Sequence, residues 1–296
     1  MHIQRGAWAE INLDAVAHNV QMAKANLKPT TKLCAVVKAD AYGHGAVRVA
    51  QEAARNGADF FAVALLQEGV KLREAGIETP ILVLGSMLPE VAEICVRYDI
   101  SHAVFDEERL YALNAAALKL HTKAKIHIKI DTGMHRIGVH VRDAGRFAKL
   151  AASLPGIYIE GVFSHFATAD ADDKQYAAYQ FERFQEALRL IEAEGVHIPI
   201  RHIANSAALT ELQEYQLDMV RQGITLYGLH PAHMIDCYKD FEPVMTVKTQ
   251  VAFVKTLPPG ETIGYGRTYT LTRPSVIATV PIGYADGVSR RLSNRG

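Results

Sequence analysis

Hydrophobic and polar positions change their rhythm twice along this chain. Residues 8–13 alternate with period two, as a half-buried strand does, and Asp14 is then placed to cap a helix whose apolar stripe includes Val16, Val20 and Met22. Beyond it, short and nearly all-apolar runs recur at 34–37, 60–65, 81–84, 102–105, 126–130, 157–163, 202–204 and 223–227. Runs of that kind read as strands buried on both faces. Between them lie amphipathic stretches of helix length at 45–56, 66–75, 89–98, 107–118, 143–152 and 176–194. Strand and helix thus alternate at an interval of about 27 residues, the order expected of a TIM-type parallel (β/α)8 barrel. A doubly wound open sheet would give the same alternation with fewer units, so the count of eight favours closure. From about Glu242 the rhythm changes again: residues 245–254 alternate, Pro258-Pro259-Gly260 reads as a turn, and 275–280 form another strand. We therefore expect an N-terminal strand segment, 1–13, packing with a mainly-β C-terminal domain. A barrel occupies 14–241, and the β domain, 242–296, is thin, with few strands and open edges.

Composition narrows the class of partner. The 296 residues carry a formal net charge of zero and contain no basic block, so nucleic acid and anionic membrane surfaces are not expected, and a small substrate is. Cys34, Cys95 and Cys237 lie far apart, without a CxxC or His-bearing pattern, which predicts a reducing compartment, no disulfide framework and no metal site. The N-terminus lacks a signal-like apolar stretch, and no run approaches the length needed to span a bilayer. These features predict a soluble, cytoplasmic protein.

The chemistry concentrates where strands end. Residues 33–37 run directly into Lys38, with Tyr42, Gly43 and Gly45 close behind. A lysine desolvated at a sheet end can lose its proton and attack a carbonyl; taken alone, Lys38 reads more commonly as a lysine reaching out to solvent. In a barrel, functional groups gather at the C-terminal ends of the strands. The fifth run leads through Lys129 into Asp131-Thr132-Gly133, the sixth into Ser164-His165, the seventh into Asn205-Ser206, and Arg221-Gln222-Gly223-Ile224 opens the eighth. Each is weak by itself, since polar residues at strand ends usually satisfy structural hydrogen bonds. A lysine at a barrel mouth suggests pyridoxal phosphate, whose phosphate seeks hydroxyls and backbone N–H groups; Tyr42, Ser206, Gly223 and Ile224 could supply them.

Seven stretches, AVVKADAYGHG, IKIDTGMHRIG, FSHFATAD, HIANSAA, VRQGITLYG, IGYGRTY and PIGYADG, together resemble the alanine racemases, fold-type III pyridoxal-phosphate enzymes, over essentially the whole chain. The resemblance implies that Lys38 is the Schiff-base lysine and the base on one face of the substrate α-carbon, and that Tyr265 is the base on the other face. It implies Arg136 near the substrate carboxylate, with Lys129 at a position that is carbamylated in many relatives. Arg221 matches the partner of the pyridine nitrogen, Tyr42, Ser206, Gly223 and Ile224 match phosphate contacts, and His165 matches a support of the cofactor ring. It further implies a homodimer whose Tyr265 serves the other subunit, and D-alanine supplied to cell-wall peptidoglycan. Relatives continue for several tens of residues past Gly296, so a C-terminally truncated form, with weak or absent racemisation, is expected. An amino-acid decarboxylase would want an acidic partner for the pyridine nitrogen, which Arg221 is not. A non-catalytic pyridoxal-phosphate barrel would need neither Tyr265 nor the β domain, and a cofactor-free aldolase could use Lys38 alone. Broad-specificity and serine racemases share the scaffold.

Overall fold

The protein is described by a computed structural model over residues 6–231 and 238–295; Cys237, one of the three cysteines above, lies outside the described residues. A first strand, β1 (Ala7–Ile11), leads into helix α1 (Leu13–Ala25). Its cap is Asn12 and not Asp14: the Asn12 side-chain oxygen accepts from the amides of Asp14 at 3.0 Å and Ala15 at 3.2 Å. Asp14 sits instead in the first turn, where a carboxylate meets the positive end of the helix dipole.

Residues 12–244 form one compact unit. Its strands are β2 (Lys32–Val36), β3 (Phe60–Val63), β4 (Ile81–Val83), β5 (Ser101–Val104), β6 (Ala124–Asp131), the two-residue β7 (Val139–His140), β8 (Ile157–Phe163), β9 (Ile200–His202) and β10 (Met219–Gln222). They pair in parallel in the order β10-β2-β3-β4-β5-β6-β8-β9, with β7 appended to β6. The two ends of that path approach each other, because the amides of Asp218 and Arg221 donate to the carbonyls of Arg201 (3.0 Å) and Ala204 (3.1 Å). The result is the nearly closed eight-stranded barrel that the alternation predicts. Leu33, Phe61, Leu82 and Ile126 are fully buried in it, as strands covered on both faces require.

A short turn, α2 (Lys38–Tyr42), follows β2. The helices after it are α3 (Ala46–Arg55), α4 (Leu66–Glu74), α5 (Ala92–Arg97), α6 (Glu107–Lys119), α7 (Ala144–Ser153), α8 (Gln175–Ala193) and α9 (Ser206–Glu211).

Two strands differ from the sequence reading. The seventh is Ile200–His202 and not 202–204, and the eighth is Met219–Gln222, while Ile224–Tyr227 winds into a 3-10 turn. Arg221 and Gln222 are buried inside that last strand, so it lacks the apolar run that marks the others. The ladder stops at Gly223 because its amide turns to the Ser206 hydroxyl, 2.8 Å away.

The second unit joins β1 to the segment beginning at Met245. Here β1 pairs antiparallel with β11 (Met245–Thr249), β12 (Phe253–Leu257) with β15 (Ser275–Thr279), and β13 (Thr262–Ile263) with β14 (Tyr269–Thr270). These are three two-stranded ribbons, and Val247, Phe253 and Val276 are exposed on them. This is the C-terminal domain of strands that the change of rhythm at Glu242 predicts.

Candidate active site

The backbone that delivers Lys38 is unusual. Ala39, Asp40 and Ala41 have φ of 52–55° and ψ of 46–49°, and Tyr42 has φ of 52°, so α2 is a turn of left-handed helix built from non-glycine residues. Each such residue costs about 1–2 kcal/mol, so the neighbours must hold the turn in place. Glu68 does so from α4: one carboxylate oxygen accepts from the Ala39 amide (2.6 Å), the other from the amides of Ala64 (2.8 Å) and Leu65 (3.0 Å). Asp40 accepts from the Ala46 amide (3.1 Å) and from Lys71 Nζ (3.0 Å). Gly43 and Gly45, at φ of 85° and 88°, let the chain leave the turn. Lys38 Nζ then lies 5.8 Å from the centre of the Tyr42 ring. Tyr42 packs edge-on against Tyr227, whose hydroxyl donates to the Val36 carbonyl (2.8 Å) and so pins the end of β2.

A cavity of about 390 Å³ opens there, and its lining includes Lys38, Tyr42, Lys129, Arg136, His165 and Arg221. Among the described residues no aspartate or glutamate lines it, so four basic side chains converge without a carboxylate. Such a site selects anions. His165 and Arg221 also line an adjoining cavity of about 290 Å³, together with Ser206, Gly223 and Ile224. The sequence-designated residues of the barrel are therefore brought together in two connected groups. Tyr265 lies in the other unit, on the 3-10 turn Tyr265–Arg267 between two left-handed glycines, Gly264 and Gly266, with its side chain fully exposed.

The residues that the sequence assigns to a phosphate have the geometry to meet one. Ser206 Oγ accepts from the Gly223 amide (2.8 Å) and the Thr225 hydroxyl (3.2 Å), which leaves its own proton for an outside acceptor. A Cβ on Gly223 would sit 3.5 Å from Ser206 Oγ and 4.0 Å from the Tyr42 hydroxyl, so glycine keeps open the space that both hydroxyls face. The Gly223 amide itself is engaged by Ser206, so this glycine contributes room.

Burial and crowding of like charge tune the basic groups. Desolvation, then Arg136 and Arg221, lower the Lys38 pKa against an opposing pull from Glu68. Lys129, 3% exposed, donates to the Ile130 carbonyl (3.1 Å) and lies 3.5 Å from Ser164 Oγ. Burial first, then Arg221, brings its pKa down to about 7. Arg221, also 3% exposed, donates to His202 Nδ1 (2.7 Å), the Ser164 carbonyl (2.8 Å), His165 Nδ1 (2.9 Å) and the Ile203 carbonyl (3.0 Å). Burial lowers its pKa to about 10, which leaves it charged at neutrality. Desolvation and the four surrounding cations hold His165 well below its usual range, so the ring is neutral and its Nδ1 is free to accept from Arg221.

Lys129 carries a testable consequence. A buried base with a depressed pKa leaves the native state short of protons relative to the unfolded chain, so stability rises with pH between the folded and unfolded values. In carbon dioxide-free buffer, Lys129→Met should be more stable than the parent by about 2 kcal/mol at pH 7. The difference should fade toward pH 10, near the ordinary lysine pKa of about 10.4. Urea unfolding at three pH values checks this, and a pH-independent difference would count against it.

Sequence reasoning did not single out His127, Glu160 or His202, which are linked in series to Arg221 through His202, nor Thr132, whose hydroxyl lies 2.8 Å from Ser164 Oγ. The available signal was a histidine within each of two runs that read as strands, 126–130 and 202–204.

Comparison with known proteins places both units in one lineage. Residues 11–231 match the family described as alanine racemase, N-terminal domain, and 244–296 the alanine racemase, C-terminal domain. The alanine racemase of Desulfovibrio desulfuricans is 46% identical over 98% of this chain and 78% of its own length. That of Halothermothrix orenii is 46% identical over 99% of this chain and 78% of its own. Among solved structures, alanine racemase from D-cycloserine-producing Streptomyces lavendulae superposes with a TM-score of 0.93 at 36% identity, covering 100% of this chain and 78% of that one. Alanine racemase from Bacillus anthracis, solved with bound L-Ala-P, gives a TM-score of 0.90 at 38% identity, covering 99% and 76%.

Proposed function

This chain belongs to the alanine racemase family, and on that premise we propose that its barrel mouth is the site at which pyridoxal phosphate and alanine are held and the α-proton is exchanged. The observation that carries the reading is the convergence of Lys38, Lys129, Arg136 and Arg221 on one cavity that no carboxylate lines among the described residues. A substrate carboxylate and a cofactor phosphate are the anions such a site would take.

Pyridoxal phosphate, when bound, supplies the aldehyde with which the amine condenses and a ring that draws electrons from the substrate α-carbon. Lys38 serves as the covalent anchor and as the proton carrier on one face, helped by its lowered pKa. Tyr265, from the partner subunit of a homodimer, carries the proton on the other face, because inversion requires removal and delivery on opposite sides. Arg136 binds the substrate carboxylate. Ser206 and Tyr42 offer hydroxyls to the phosphate, with Gly223 and Ile224 shaping the space beside them. His165, neutral and tied to Arg221, supports the ring. Arg221 would hold the ring nitrogen as a donor that cannot release its proton near neutrality. A ring nitrogen held by such a donor would stay unprotonated, which would favour proton return to the same carbon over decarboxylation or transamination.

Lys129 fits carbamylation: with a pKa of about 7 a large fraction of its amine is neutral at physiological pH, and the carbamate formed from it and carbon dioxide would place an anion among Arg136 and Arg221. A 13C resonance from labelled bicarbonate that Lys129→Met abolishes would support this, and its absence in the parent would refute it. Among the described residues no helix is long and apolar enough to cross a membrane, in keeping with a cytoplasmic enzyme that feeds D-alanine to cell-wall peptidoglycan.

The decisive experiment pairs the visible absorbance of the cofactor-loaded protein with chiral product analysis over several L-amino acids. We expect absorbance that borohydride abolishes, leaving the label on Lys38, and conversion of L-alanine ahead of L-serine. Loss of carbon dioxide from any substrate would favour a decarboxylase, and equal turnover of larger amino acids a broad-specificity racemase.

A further inference from the structure

Among the described residues Arg221 has no carboxylate as a hydrogen-bond partner, yet a chain of side chains leads from it to one midway along β8. A guanidinium only donates, so where Arg221 Nη1 meets His202 Nδ1 at 2.7 Å that ring nitrogen is bare. The single proton of His202 therefore sits on Nε2, 2.8 Å from His127 Nδ1, which must accept. His127 in turn carries its proton on Nε2, 3.0 Å from Glu160 Oε2. The Ser101 hydroxyl donates to the same oxygen. Every bond points away from Arg221, and the reverse order is closed because Arg221 cannot accept. A second proton on either ring would face another donor.

The backbone is shaped around this chain. In the pairing of β6 with β8, Ile126 opposes Ile159 and His127 opposes Gly161, so Glu160 is the extra residue of a β-bulge. Bulges re-aim a side chain, and here the carboxylate is turned inward until its side chain is 13% exposed. A Cβ at Gly161 would lie 2.5 Å from His127 Nδ1, so only glycine leaves room for the ring. Phe163 stacks on His202 with ring centres 4.9 Å apart and planes 7° apart, and both histidines are fully buried. Desolvation works against the Glu160 carboxylate, but the bonds from His127 and Ser101 keep its pKa below the usual value.

We propose that Glu160 is a positioning residue for the active site: it closes a one-way hydrogen-bond relay through His127 and His202 that holds Arg221, and its charge is felt at the barrel mouth. Without it the relay ends in a buried, unpartnered N–H, a cost of about 1–3 kcal/mol, which turning the imidazoles and releasing Arg221 would relieve. The consequence for catalysis rests on the reading that Arg221 faces the cofactor ring; the relay itself does not.

NMR of the protein labelled with 15N in histidine rings and arginine, with and without pyridoxal phosphate, tests this. In the parent we expect both rings protonated on Nε2 and bare at Nδ1. Glu160→Gln keeps an acceptor but loses the charge, so the tautomers should persist while the protons of His127, His202 and Arg221 all move upfield, in diminishing steps. Glu160→Leu should lose the single-tautomer pattern. In the loaded enzyme it should lower kcat about ten- to a hundredfold, the range typical of outer-shell partners, with KM unchanged, and Glu160→Gln should restore most of it. A proton on Nδ1 of either ring in the parent, or a Glu160→Gln effect confined to His127, overturns the proposal. The glutamine variant decides the matter if the leucine variant fails to fold. Because the cofactor-free spectra read the relay directly, failure to bind pyridoxal phosphate would sink the proposed function and leave this test standing.

Discussion

Lys38→Ala should abolish alanine racemisation, lowering kcat/KM by at least about 10⁴-fold, because the proposed function gives this one side chain two tasks: covalent anchoring and proton transfer on one face. The fold should survive. Lys38 is half-buried, and the left-handed turn behind it is held by Glu68 and Asp40 through backbone amides that the substitution leaves in place. Circular dichroism and the thermal midpoint should match the parent, which separates a chemical loss from a structural one. A small exogenous amine should return part of the turnover. In the parent, activity should rise with pH through an apparent value below that of a free lysine, the direction in which desolvation and Arg136 move this amine. Retention of activity within tenfold would remove Lys38 from the reaction.

Mixing two inactive variants should restore activity. Tyr265→Phe should remove the proposed second proton carrier, a loss of about 10²–10⁴-fold for a positioned acid–base group. If each site takes Lys38 from one subunit and Tyr265 from the other, a dimer of one Lys38→Ala and one Tyr265→Phe chain has one site with both defects and one with neither. Random reassortment makes half the dimers mixed, so about a quarter of parental activity returns. Sites built within one chain would give no recovery, because every site would keep its own defect. The exposure of the Tyr265 side chain in the single chain is what a group serving a neighbour would show. Coexpression followed by assay with L-alanine reads the result directly.

The barrel was legible because its strands are buried on both faces and helices intervene, so eight apolar runs mark its staves. The reading slipped at the eighth stave because Arg221 and Gln222 are buried there without interrupting the strand, and a polar pair inside a run looks like its end. The cap of α1 slipped by two residues, since Asn12 and Asp14 are equally good caps by type and only the backbone angle at Asn12 selects between them. Among site residues, Lys38, Lys129, His165, Ser206 and Arg221 stood out because strand ends in a barrel converge, and Arg136 through the resemblance of its stretch to the alanine racemases. The left-handed turn at 39–42 left no trace in sequence, because alanine, aspartate and tyrosine carry no mark of a positive φ.

The linear order of residues determined the architecture and most of the groups at the mouth, since periodicity and strand-end position are properties of the sequence itself, and the resemblance of seven stretches pointed to the family. Proton placement could be settled only by the tertiary structure. Whether a lysine is charged, which histidine nitrogen is bare and what balances Arg221 depend on burial and on partners distant in sequence. Glu160 reaches Arg221 only through His127 and His202, and no spacing rule connects positions 127, 160, 202 and 221 until the barrel folds them into contact.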